Sequence, residues 1–96
     1  MIRSRPGGGA DVARNSMPQF VVWDVKSYGY GVAVLDQYGQ IIGDVYYGDP
    51  GKDRNETRIF ARLTAEETAE ENGIPLNRVF RDHELMMTLK EIRDIP

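Results

Sequence analysis

Between Phe20 and Tyr47 the chain reads FVVWDVKSYGYGVAVLDQYGQIIGDVYY, three runs of β-branched and aromatic residues broken by two glycine-bearing turns. The pattern predicts strands over 19–26, 30–36 and 40–47, the last two joined by the short loop Gln37-Tyr38-Gly39. Side chains alternate across a strand, so the register fixes two faces. One carries Val21, Trp23, Val25, Tyr30, Val32, Val34, Ile42 and Tyr46. The other carries Phe20, Val22, Asp24, Gly31, Ala33, Leu35, Ile41, Gly43, Val45 and Tyr47. Both faces are apolar, whereas a sheet covered on one side alternates more cleanly with polar residues. One face is therefore expected to meet helices and the other a partner.

After a turn at Asp49-Pro50-Gly51, residues 56–63 alternate, with Ile59, Ala61 and Leu63 on one side, and predict a fourth strand. Thr64 and Glu67 have capping-box spacing and predict a short acidic helix to about Asn72, closed by Gly73, Ile74 and Pro75. Leu85, Met86, Leu89 and Ile92 recur at helical spacing, widened by Met87, and predict a second helix over 82–93. Asp82 and Glu84 at its start, with Lys90 and Arg93 at its end, suit the helix dipole. The expected fold is α+β: a four-stranded antiparallel β-meander with two C-terminal helices packed on one face.

Length adds that 96 residues make one domain with one modest core. Residues 1–18 contain a glycine triplet and no hydrophobic periodicity, so a flexible basic leader is expected there, with residues 19–96 as the domain. Met17 stands just before the first strand, and a start at that residue would make the preceding residues a leader. Charge divides the same way. Arg3, Arg5 and Arg14 against Asp11 give residues 1–18 a charge of +2, while 9 basic and 14 acidic residues give the rest −5. An acidic body weighs against nucleic acid as a partner. With no cysteine there are no disulfides, thiolate zinc sites or cysteine nucleophiles. No apolar run has membrane-span length and no secretory signal stands at the N-terminus, so a cytoplasmic protein is expected.

Candidate chemistry is sparse. Asp24 is an unusual residue for the middle of an apolar strand; its plain explanations are a pair with Lys26 or an arginine, or a guard against aggregation on an edge strand. In VVWDVKSYGYGVAVLDQYGQII, Asp24, the run Gly29-Tyr30-Gly31-Val32 and the Gly39 turn together resemble the opening of RNase H-like nucleases of the Holliday-junction-resolvase type. That resemblance covers about a quarter of the chain and implies a metal-binding role for Asp24. It also implies further carboxylates from a later strand and a C-terminal helix. Val25-Lys26-Ser27 departs from it, since the family places a glycine soon after its first aspartate. Asp44, on the opposite face by this register, does not share a cation with Asp24.

The other candidates have plainer readings. His83, the one histidine, lies between Asp82 and Glu84 at a helix start and reads as a solvated residue. Asp49, Asp53 and Glu56 lack the calcium-loop pattern, and Gly48 to Lys52 lacks the phosphate-loop pattern. The favoured role is non-enzymatic: a small protein-interaction or homodimerising module, its partner a second copy or another protein. Trp23, Asp24, Tyr30, Tyr46 and Tyr47 are the candidate binding residues. No catalytic or metal residue and no cofactor is assigned. The alternative is a small-ligand-binding protein with an aromatic pocket between sheet and helices. An RNase H-like metal-dependent nuclease fragment is the third reading.

Overall fold

The computed structural model describes residues 18–93, with Ile92 in its backbone only; the leader expected over 1–18 falls almost entirely outside that range. The elements run β1 (Gln19–Lys26), β2 (Gly29–Asp36), β3 (Tyr46–Gly48), α1 (Arg54–Glu71), a 3-10 turn (Leu76–Arg78), β4 (Val79–Arg81) and α2 (Asp82–Arg93). The sheet has the order β3-β2-β1-β4.

β1 and β2 form the expected hairpin, pairing Phe20 with Leu35, Trp23 with Val32 and Val25 with Tyr30. The predicted faces hold. The third strand is shorter than expected, because the chain leaves the ladder after an isolated bridge between Leu35 and Ile41. It rejoins with Val32 opposite Tyr46 rather than Asp44. The excess is two residues, an even number, so Tyr46 and Tyr47 keep their expected faces. Gly48 is needed where β3 passes Tyr30, because a Cβ there would enter the Tyr30 ring.

The sheet is mixed, not an antiparallel meander. Residues 56–63, expected as the fourth strand, belong to α1, which begins ten residues before the predicted helix. Its N-cap is Asp53, whose carboxylate accepts from the Glu56 N–H at 2.9 Å, while Glu56 accepts from the Lys52 N–H at 2.7 Å. Thr64 is therefore mid-helix, and its hydroxyl meets that of Tyr30 at 3.0 Å. The end of α1 is as expected: Gly73 takes φ +69°, and the Ile74 N–H reaches back to the Ala69 carbonyl at 2.8 Å. At 18 residues α1 is about 27 Å long. It carries the chain back along the sheet, so β4 enters running with β1, with Val21 opposite Val79 and Trp23 opposite Arg81.

Each helix covers its own face, where both were expected on one. Ala61, Ala65 and Ala69 of α1 pack with Val21, Trp23, Val25, Tyr30, Val32 and Ile74. Leu85 and Leu89 of α2 pack with Phe20, Val22 and Leu35 on the opposite face. Full burial of Phe20, Val21, Val32 and Leu89 contributes on the order of 1.5–3 kcal/mol each. α2 has its predicted bounds, but Met86 and Met87 are exposed. Among the described residues no helix is long and apolar enough to cross a membrane.

Candidate carboxylate groove on the open half of the sheet

α2 covers one end of the second face and leaves the other end open. There a groove of about 440 Å³ is lined by Asp24, Tyr28, Gly31, Ala33, Tyr47 and Asp82. Its floor is made of small side chains from β2, which let an incoming group approach the backbone. Tyr47 on β3 forms one wall, 75% exposed, and the start of α2 forms the other.

Asp24 and Asp82 meet in this groove for reasons that lie in the register. Val22 pairs with Phe80 and Trp23 with Arg81; the next residue is Asp24 on β1 and, where β4 ends, Asp82 as the first residue of α2. Alternation puts Asp24 on the face of Val22, and Asp82 borders the same groove from the start of α2. The two carboxylates interact electrostatically. Partial desolvation, and then the negative charge of Asp24, raise the Asp82 carboxyl above the ordinary aspartate range; Lys26 and His83 pull it back. Lys26, two residues beyond Asp24 on the same face, places its ammonium 2.5 Å from the Asp24 carboxylate. The hydrogen bond to Asp24 and its charge raise the Lys26 pKa. The other Asp24 oxygen accepts from the Val25 N–H at 2.9 Å. The plain expectation for Asp24, a pair with Lys26, is thus met.

Four of the five candidate binding residues, Trp23, Asp24, Tyr30 and Tyr47, border the groove, but not all by their side chains. Asp24 and Tyr47 face the groove. Trp23 and Tyr30 turn into the α1-side core, and Tyr46 lies beside Tyr30 with ring centroids 6.1 Å apart. The Arg81 guanidinium lies over the Trp23 ring at 5.4 Å. This core occupies the middle of the interface between α1 and the sheet, and the groove lies on the opposite face, between β3 and α2. His83 is exposed on the first turn of α2.

Asp82 went unassigned as a site residue because it reads equally well as a helix-start carboxylate. A weak signal was present: Val79-Phe80-Arg81-Asp82, like Val21-Val22-Trp23-Asp24, has two apolar residues followed two positions later by an aspartate. Among the described residues no group of three or more His, Cys, Asp or Glu side chains gathers as a metal site. Two carboxylates still suit magnesium, which commonly takes one or two from the protein and fills its shell with water and substrate phosphate. Comparison with known proteins gives no match among family models, curated proteins or solved structures.

Proposed function

We propose that the groove is the centre of a divalent-cation-dependent phosphodiester hydrolase of RNase H-like type, with Asp24 and Asp82 as its carboxylates. The observation that carries this reading is the meeting of those two residues at the carboxyl ends of parallel neighbours β1 and β4. In open α/β sheets that is where ligands enter. The mixed order β3-β2-β1-β4 and the resemblance over residues 21–42 support it. Bound at the two carboxylates, a magnesium ion would supply charge against the transferring phosphoryl group and activate water.

The protein's own residues do the rest. Lys26 pairs with the Asp24 carboxylate and would orient it toward a bound cation. Gly31 and Ala33 leave room for a sugar-phosphate backbone, and Tyr47 offers a ring on which a base stacks. The test is cleavage of end-labelled RNA, DNA and hybrid duplexes with magnesium or manganese. Cleavage is expected to fall at least about 100-fold in both Asp24→Asn and Asp82→Asn, with circular dichroism unchanged. Absence of cleavage with either metal, or full activity in either variant, ends the reading.

A second reading, a protein-interaction or homodimerising module, is favoured by the exposed Tyr28, Ile41, Tyr47, Met86 and Met87. Half of the apolar face that first motivated it is covered by α2. Light scattering at high concentration separates the two readings, since a monomer that cleaves supports the first alone.

A further inference from the structure

On the other face, α1 lies chiefly over β1 and β2 and only partly over β4, whose residues are half-buried. A cleft of about 390 Å³ opens there, lined chiefly by Arg58, Ile59 and Arg62 of α1, Leu76, and Val79 and Arg81 at β4. Three guanidinium groups thus border one small cleft in a domain whose residues after 18 carry a charge of −5. Arg58 and Arg62 stand one turn apart on α1, and like charges at that spacing destabilise a helix. Glu66 and Glu84 also line the cleft, so three guanidinium groups against two carboxylates leave it one positive charge in excess. Glu66 is engaged by Arg62 at 3.1 Å, and Glu84 accepts from the Arg81 backbone N–H at 3.3 Å. Among the described residues the guanidinium groups of Arg58 and Arg81 have no carboxylate partner. Arg81 is also held in place, packed against Trp23 rather than extended into solvent.

We infer that this cleft binds a small phosphorylated ligand, gripped by Arg58, Arg62 and Arg81. Guanidinium forks match phosphate oxygens, and an anion between Arg58 and Arg62 relieves their mutual repulsion. The volume suits a small molecule. Ile59 and Leu76, both more than half exposed, offer an apolar ledge for the rest of it. The inference stands apart from the carboxylate groove, which opens on the opposite face.

The test is a titration of the full chain with inorganic pyrophosphate at fixed ionic strength, following arginine side-chain N–H resonances. Saturable shifts are expected at Arg58, Arg62 and Arg81. The Arg58→Gln/Arg81→Gln double variant is expected to weaken binding at least about tenfold, and Arg54→Gln, outside the cleft, to stay within about twofold. Non-saturating shifts, shifts shared equally by Arg54, Arg78 and Arg93, or undiminished affinity in the double variant would overturn the site.

Discussion

Asp82 is the residue whose environment makes the clearest solution prediction. Its carboxyl titrates higher in the folded chain than in the unfolded one, because the groove partly dehydrates it and Asp24 faces it. The folded state therefore binds the proton more tightly. The stability linked to this group is fully present below the unfolded carboxylate pKa and is lost as pH rises through the raised value. Asp82→Asn removes that titration. Urea unfolding from about pH 3 to about pH 7 should find the variant gaining on the parent as pH rises, with a plateau near neutrality. A difference that does not change with pH would mean that Asp82 titrates like an ordinary exposed aspartate. Lys26 does not confuse the result, since its pKa is raised from an already alkaline value and it stays charged throughout.

At the scale of elements, α1 explains most of what the sequence concealed. Its buried stripe is Thr57, Ala61, Ala65 and Ala69, all small, at a strict four-residue spacing. Its larger apolar residues Ile59, Phe60 and Leu63 are exposed. A reading that weights residues by hydrophobicity follows the exposed set, finds alternation and predicts a strand. β4 escaped notice because three residues are too few to display a period. Its pairing with β1 also depends on chain reversal by a helix that had not been identified. By contrast β1, β2 and their faces were legible, since eight-residue runs of Val, Trp and Tyr permit one alternation only. Half of the site followed: Asp24 and Tyr47 fall on the face where function was sought. The alanine seam carries its own prediction. Ala65→Leu inserts three carbons where α1 meets the sheet and should cost about 1–3 kcal/mol in chemical denaturation. The same change at exposed Arg62 should stay within about 0.5 kcal/mol.

For the whole molecule, an apolar sheet sandwiched between two helices accounts for the two-sided hydrophobicity that first pointed to a partner. The arrangement also divides possible activities spatially. Carboxylates gather at the open end of one face and arginines beside the edge strand of the other. Neither cluster lies within the contiguous stretch 20–47 alone; each requires β4. That strand is three residues long, stands at the sheet edge and joins β1 across more than fifty residues of sequence. Contacts of such separation form late in folding, and short edge strands open early. Native-state hydrogen exchange should therefore find the β4 amides exchanging faster than those of Val21 to Val25, and equal protection would contradict this. β4 leads directly into Asp82, so the proposed Asp24–Asp82 pair depends on that one edge, and opening it would part the two carboxylates while the central hairpin keeps its own ladder.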